Sequence, residues 1–452
     1  MEIRPGLVTD IREERYGMQE LSPTAFLISS SIKVFLVFSV SLAVVAYMTL
    51  LERRVSGFIQ DRLGPNRVGP FGLLQPVADG IKNILKEETM PATANKRFFI
   101  LAPMLSIILA VVLIAVVPFA APLPTPWGIV DMVVADIPIG ILFILAFSSL
   151  GVYGMFLAGW ASNNKYAFLG ALRSSSQMVS YEVALGLSLI PVFMLAGNVT
   201  LTEIVWQQQL LGFWFLFPLS LAFILFVISG FAETNRLPFD LPEAESELVT
   251  GYHTEYSAMK FSMFFIAEYS HILVVSALMA TLFLGGWSVP FWSGDHMFWF
   301  DGQLISGFTA AGAPIAAEPA VWKTLLTLMS FSLKTFFFIM VFVWVRWTLP
   351  RFRYDQVMHL GWKVMLPVSL AYVMLVAATI LVLDQMAIEG FMFGAVLTAV
   401  SGVATGAFVF VLDRDRIMSG AAVGPDGVSE LREPLPGRTD VLPADASNPL
   451  IS

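Results

Sequence analysis

The chain has 452 residues, of which 57% are hydrophobic and 13% are charged, and its mean hydropathy is +0.75. Soluble globular proteins carry about 25% charged residues, so this chain has too few to cover its surface in water. Its net charge of −8 also excludes the basic surface that a nucleic-acid-binding protein needs. The composition therefore predicts a polytopic membrane protein.

Several apolar segments are long enough to cross a bilayer, which takes about 20 residues. Residues 1–24 are polar and lack the cationic start and short apolar core of a cleaved signal peptide, so we expect the first span to be retained. Because no segment alternates like a membrane β-strand, the sequence predicts an all-α polytopic membrane protein with about nine transmembrane helices. The nine segments lie at about 25–50, 98–118, 138–160, 176–198, 211–232, 260–284, 323–347, 364–384 and 391–412.

The first loop between spans contains a predicted amphipathic helix. Leu73, Val77, Ile81 and Leu85 recur at helical spacing, while charged residues such as Asp79 fill the other face. This pattern predicts a helix that lies on the membrane surface. Two interpretations remain open: a simple surface anchor, or one wall of a site that opens into the lipid and admits a hydrophobic substrate.

The orientation in the membrane follows from the lysines and arginines of the loops. Most of the 26 basic residues lie on one set of alternating loops, whereas the opposite set holds Arg4, Arg12 and Arg15. We therefore expect a multi-pass membrane protein with its N-terminus outside and its C-terminus in the cytoplasm. The loop after the first span is then cytoplasmic.

The loop after the fifth span is unusually acidic. Mutual repulsion and partial burial raise carboxyl pKa values, so such a cluster can hold and pass protons near neutral pH. A solvated acidic loop is the alternative, although interleaved aromatic and apolar residues favour a packed one. The carboxylates are those of Glu233, Asp240, Glu243, Glu245, Glu247 and Glu255.

Ionisable residues inside spans are costly and indicate function. Glu182, Glu233 and Glu268 come from three spans at a similar predicted depth, and His271 shares a helix face with Glu268. Together they predict a polar path from the cytoplasmic side toward the middle of the membrane. Lys334 could continue this path, whereas no role follows for Lys33, and a locally hydrogen-bonded structural pair is the alternative for each residue.

The chain has no cysteine and only four histidines, which are widely spaced. We therefore expect no iron–sulfur cluster, flavin, haem or metal ion to be held by this chain. In any redox reaction, the electrons would arrive from another subunit or a diffusible carrier.

Four long, irregular motifs carry a resemblance to a known family. They resemble the H subunit of the proton-translocating NADH–quinone oxidoreductase, respiratory complex I, and the resemblance covers about residues 25–385. The motifs are LERRVSGFIQDRLGPNRVGPFGLLQPVADGIKNILKE, SSSQMVSYE, GFAETNRLPFDLPEAESELVTGYHTEYSAMKF and WVRWTLPRFRYDQVMHLGWK.

The resemblance implies a subunit of the bacterial inner membrane that forms a quinone cavity together with peripheral subunits and couples quinone reduction to proton movement. The substrate is a quinone, either ubiquinone or menaquinone. Implied partners are the peripheral quinone-site and iron–sulfur subunits, the small membrane subunits, the antiporter-like subunits, and lipid. Implied site residues are Glu52, Arg53, Asp79 and Arg236 at the quinone cavity, Glu243, Glu245 and Glu247 in a coupling loop, and Glu182, Glu233 and Glu268 in the proton path.

The resemblance also sets the predicted domains. An external N-terminal segment at 1–24 precedes the membrane core at 25–385, and an extra transmembrane helix at 386–412 and a cytoplasmic polar tail at 413–452 follow it. The extra helix and tail depart from an eight-span pattern, and a docking or assembly role is one hypothesis for them. The other functional candidates are an anchor subunit of a membrane-bound hydrogenase-type complex, a stand-alone proton-coupled transporter, and a purely structural anchor.

Overall fold

The structure is a computed structural model that describes residues 23–241, 249–290, 292–300, 303–308, 314–388 and 390–414. The predicted all-α membrane fold is confirmed, and within these residues eight helices are long and apolar enough to span a bilayer. In chain order the helices are α1 (Pro23–Ile59), α2 (Gln75–Leu85), α3 (Lys96–Val112), α4 (Gly140–Ala161), α5 (Lys165–Ala196), α6 (Leu201–Leu211), α7 (Ser220–Glu233), α8 (Ala258–Phe283), α9 (Val321–Thr348), α10 (Tyr354–His359), α11 (Leu366–Gln385) and α12 (Gly390–Arg414). A π-helical turn joins α10 to α11 without a break.

Short strands occur in two of the loops that connect the helices. Between α3 and α4, β1 (Leu123–Thr125) pairs antiparallel with β2 (Gly128–Val130). Between α8 and α9, β4 (Gln303–Phe308) pairs antiparallel with both β3 (Phe298–Phe300) and β5 (Pro314–Ala316). Both sheets belong to loops that the charge distribution predicts to lie outside the cytoplasm.

The fifth predicted span, 211–232, is interrupted. Helix α6 ends at Gly212, which adopts a left-handed conformation with φ 72° that glycine enters readily. Helix α7 begins two residues after Pro218 and has only 14 residues, which corresponds to about 21 Å. This segment is therefore a short helix preceded by irregular backbone, whereas the other eight predicted spans form the eight long helices.

Helix α5 begins earlier than its predicted span. It starts at Lys165 rather than near residue 176, because the side chain of Asn164 caps it by accepting the backbone N–H of Tyr166 at 2.9 Å. Hydropathy alone did not detect this polar first part of the helix. As a consequence, Glu182 lies in the middle of α5 and not near its end.

Helix α8 is the core of the bundle. Every residue from Tyr269 to Phe283 is buried, as expected for a helix that is apolar on all sides and surrounded by others. It packs against α1, α3 and α9, and it also contacts the predicted amphipathic helix, α2. Helix α2 has no buried residue and leaves its apolar side chains, such as Ile81 and Leu85, exposed.

The described residues up to Thr405 form one compact unit that contains every site described below. A second unit begins at Gly406, and the structure describes only the end of α12 within it. The acidic residues Glu243, Glu245 and Glu247 lie outside the described residues, as does the tail beyond residue 414.

Candidate functional site

An ion pair lines a cavity between α1, α2 and α8. Arg53 Nη1 lies 2.7 Å from Asp79 Oδ2, and Asp79 Oδ1 also accepts a hydrogen bond from Gln75 Nε2 at 3.1 Å. Arg53 and Asp79 both line the cavity, whose volume is about 490 Å³ and whose wall is otherwise largely apolar, with Phe265 of α8 among its residues. The amphipathic helix thus forms one wall of a cavity.

A second cavity of about 450 Å³ lies beside the first and is lined by Glu52, Arg53, Tyr269 and Arg346. Glu52 is 6% exposed, so its carboxylate needs partners. The Tyr269 hydroxyl donates to it at 2.5 Å, and Arg346 forms a close ion pair with it. Glu52 and Arg53 are sequence neighbours, but Glu52 is tied to these buried partners whereas the half-exposed Arg53 pairs with Asp79.

Arg236 connects Glu52 to Glu268. Its Nε lies 2.6 Å from Glu268 Oε1, its Nη1 lies 3.8 Å from Glu52 Oε1, and its guanidinium lies 4.3 Å from the centre of the Tyr269 ring. Burial alone would lower the pKa of Arg236, but Glu268, Tyr269 and Glu52 together raise it above its ordinary value. The guanidinium therefore stays charged and binds two carboxylates from different helices.

A smaller cavity separates Glu268 from Glu233. It has a volume of about 30 Å³ and is lined by both carboxylates together with His271 and Asn235. A water molecule needs about 10–15 Å³ of such volume and two to four polar partners, so this space can hold two. Glu268 and Glu233 can therefore communicate through water.

Two adjacent serines of α4 contact two of the buried acids. The Ser148 hydroxyl donates to Glu233, and the Ser149 hydroxyl donates to Glu182. Glu233 and Glu182 also interact electrostatically with each other. The three intramembrane acids predicted from the sequence are thus brought together in the order Glu268, Glu233, Glu182.

A further ion pair joins the first part of the acidic loop, at Asp240, to the segment after α9. Arg351 Nη2 lies 2.9 Å from Asp240 Oδ2, and burial raises the pKa of Asp240 despite the opposing effect of Arg351. The Phe352 backbone N–H donates to the Pro238 carbonyl at 3.0 Å in the same region. Arg351 is therefore an internal partner of the acidic loop.

The two intramembrane lysines lie apart from this chain of acids. Lys334 donates to the carbonyls of Leu284, Gly286 and Ser288 at 2.7, 3.0 and 2.5 Å, beyond the end of α8. Lys33 donates to backbone carbonyls of the loop between α3 and α4. Lys334 therefore does not extend the predicted polar path; it binds the turn that follows α8.

The network includes four partners of the site carboxylates that the sequence did not predict: Tyr269, Arg346, Ser148 and Ser149. Tyr269 follows Glu268 directly, so a second polar residue inside an apolar segment was an available signal. Arg346 was counted only as a basic loop residue, and nothing local indicates a partner 294 residues away. Within the described residues, no group of three or more His, Cys, Asp and Glu side chains is arranged to hold a metal ion.

The family model described as NADH dehydrogenase matches residues 32–377 of the chain. The chain belongs to this family. A relative from Koribacter versatilis, an H subunit of NADH-quinone oxidoreductase, is 49% identical over 369 residues, which cover 78% of this chain and 97% of the relative. NADH-ubiquinone oxidoreductase chain 1 of Chondrus crispus is 49% identical over 356 residues, covering 79% and 98%. The resemblance to the family of H subunits is therefore confirmed, and α12 lies beyond the part that the family model matches.

Proposed function

We propose that this chain is the membrane subunit of an NADH–quinone oxidoreductase that binds quinone and couples its reduction to proton movement. One observation carries the proposal: Arg236 joins Glu52, which lines a cavity, to Glu268, which begins a series of buried acids. A change of charge in the cavity is thereby transmitted to groups that can carry protons.

The two larger cavities provide the quinone site. The largely apolar one, between α1, α2 and α8, suits the hydrocarbon tail, and the one lined by Glu52, Arg53 and Tyr269 suits the polar head group. Since the chain has no cysteine, the electrons come from a peripheral iron–sulfur subunit. Reduction of a quinone to a quinol takes two electrons and two protons, so the site must also deliver protons.

Charge balance explains the coupling. Glu52 and Glu268 carry two negative charges, and Arg236 and Arg346 carry two positive charges, in a buried network. Electrons that arrive on the quinone add negative charge in a low-dielectric region, where Coulomb interactions are strong. Arg236 then shifts toward the added charge and away from Glu268, and the Glu268 carboxylate regains neutrality by taking up a proton from Glu233, which is reprotonated in turn from Glu182.

The test uses glutamine variants of the intramembrane acids in the complete complex, purified through a tag on this chain. Glu268→Gln and Glu182→Gln should leave the amount of assembled complex unchanged but reduce proton translocation about tenfold or more, equivalent to about 1.4 kcal/mol at the barrier. Glu255→Gln is the matched control, because Glu255 accepts a hydrogen bond from Asn164 and, within the described residues, lies outside this network. Normal quinone reduction and pumping in both variants would refute the proton path.

The quinone cavity is tested separately. Arg236→Ala and Asp79→Asn should weaken NADH-driven quinone reduction and its sensitivity to quinone-site inhibitors. Unchanged turnover and inhibitor sensitivity in both would contradict the assignment of the cavity. Purification of a hydrogenase-like module without NADH activity, or of the chain alone in a transport-competent form, would refute the proposed complex.

A further inference from the structure

Helix α7 begins inside the membrane. Its length of 14 residues corresponds to about 21 Å, whereas the hydrocarbon core is about 30 Å thick. The first N–H groups of a helix have no partner within the helix, and irregular backbone at this depth cannot be hydrated. Some other part of the protein must therefore satisfy the backbone around Pro218 and Ser220.

Two buried hydroxyl groups satisfy this backbone. The backbone N–H of Ala222, in the first turn of α7, lies near the Tyr372 hydroxyl of α11. The Ser401 hydroxyl of α12 donates to the Pro218 carbonyl at 2.5 Å and lies 2.8 Å from the Tyr372 oxygen. Because the single hydroxyl proton of Ser401 goes to Pro218, Tyr372 is the donor between the two hydroxyls. The hydrogen bonds thus run from Tyr372, beside Ala222, through Ser401 to Pro218.

This set of hydrogen bonds lies deep within the helices that supply it. Ser401 is 11 residues from the start of α12, which corresponds to about 16 Å. Tyr372 is 13 residues from the end of α11, which corresponds to about 20 Å. Both side chains are buried, with exposed fractions of 0% and 3%. At this depth the loss of one hydroxyl leaves a backbone group without a replacement partner.

Helix α12 makes further contact with the same region. The hydroxyls of Ser220 and Thr405 lie 3.0 Å apart, and a Cβ on Gly394 would collide with the ring of Phe213 in the irregular segment before α7. Residues 394, 401 and 405 of α12 therefore contact Phe213, Pro218 and Ser220 in turn, from the irregular segment to the first residue of α7. The contact is specific and polar, unlike that of a helix that only lies in lipid.

We propose that α12 is an intramembrane cap that fixes α7 in position, and through α7 the carboxylate of Glu233. Glu233 is the last residue of α7, at the opposite end from the cap, and packs on Ser148 of α4. This inference deepens the proposed function, because it rests on Glu233 belonging to the proton path. It gives the helix beyond residue 377 a role within the membrane core of this chain.

The test is a double-mutant cycle in the complete complex, with proton translocation measured per assembled complex and per NADH oxidised. Ser401→Ala and Tyr372→Phe should each lower translocation about two- to fivefold, in line with single hydrogen bonds in membranes. The double variant should be no worse than the more affected single variant, because the two hydroxyls are bonded to each other and hold the same backbone segment as one unit. Thr398→Val is the matched control, because the Thr398 hydroxyl bonds only to Gly394 of its own helix.

A deletion of residues 390–452 provides the second measurement and should abolish translocation per assembled complex. Wild-type proton translocation in both Ser401→Ala and the deletion variant would overturn the inference. Strictly multiplicative effects of Ser401→Ala and Tyr372→Phe would also overturn it, since a shared cap predicts coupling. The proposed function fails in a different way: Glu233→Gln in an otherwise intact chain would then leave translocation unchanged.

Discussion

Removal of the Arg236 charge should destabilise the protein strongly. Wild-type Arg236 and Arg346 balance Glu52 and Glu268, and Arg236 lies 2.6 Å from Glu268. Arg236→Gln leaves one uncompensated negative charge in a buried network, and breaking such a pair costs about 3–5 kcal/mol. The midpoint of thermal unfolding of the purified complex should therefore fall by several degrees.

A second substitution makes this prediction specific to charge. Arg236→Gln combined with Glu268→Gln restores a net charge of zero, and neutral polar groups of similar volume replace a buried ion pair at little cost. We expect the double variant to recover at least half of the lost stability. Glu268→Gln alone leaves an excess positive charge and should destabilise less than Arg236→Gln, because Glu52 still pairs with the guanidinium.

The control for this experiment is Arg53→Gln. Arg53 also forms a close pair, with Asp79, but half of its side chain is exposed, so its loss should change the free energy of unfolding by about 0–1 kcal/mol. The reasoning is refuted if Arg236→Gln unfolds at the wild-type temperature, or if the double variant is no more stable than Arg236→Gln.

Three further predictions follow from single contacts. Ser149→Ala removes the hydroxyl that donates to Glu182 and should slow proton translocation about two- to tenfold at normal assembly; an unchanged rate would exclude that hydroxyl from the path. Burial raises the pKa of Asp295 to about 6 from an ordinary value near 3.9, so wild-type stability falls as the pH rises from about 4 to 6. The free energy of unfolding of Asp295→Asn should equal that of the wild type at pH 4 and exceed it by up to about 3 kcal/mol at pH 7. Thermal unfolding at both pH values measures this difference, and an equal difference at the two would contradict the prediction. A Cβ at Gly170 would lie 2.8 Å from a backbone atom of the facing turn, so Gly170→Ala should lower the free energy of unfolding by about 1–3 kcal/mol. A Cβ at Gly186, on the same helix, would meet no atom within 4 Å, so Gly186→Ala should be neutral or stabilising in the same assay.

Much of the fold was predictable because apolar length and charge placement act locally along the chain. The positions of eight spans, the amphipathic helix and the shared environment of Glu268 and His271 follow from residue type and helical spacing. Gly212 and Pro218 indicate the interruption before α7, but hydropathy summed over a window of about 20 residues does not detect two single residues within it.

The partners of the site residues were less predictable, because they depend on contacts between distant segments. Arg346 reaches Glu52 across 294 residues, and nothing near either residue indicates the other. Ser148 and Ser149 lie in an otherwise apolar helix, where small polar residues are common at helix contacts and carry no signal of their own. Lys334 was correctly selected as unusual, yet its partners are backbone carbonyls, which have no sequence signature.

The carbonyl partners of Lys334 bear on how the chain enters the membrane. An isolated helix with a lysine near its centre inserts with a penalty of about 2.5–3.5 kcal/mol for that residue. In the folded protein the ammonium is surrounded by the carbonyls of Leu284, Gly286 and Ser288, which the preceding helix presents. We therefore expect helices α8 and α9 to be more stable in lipid as a pair than α9 is alone, and to leave the insertion machinery together.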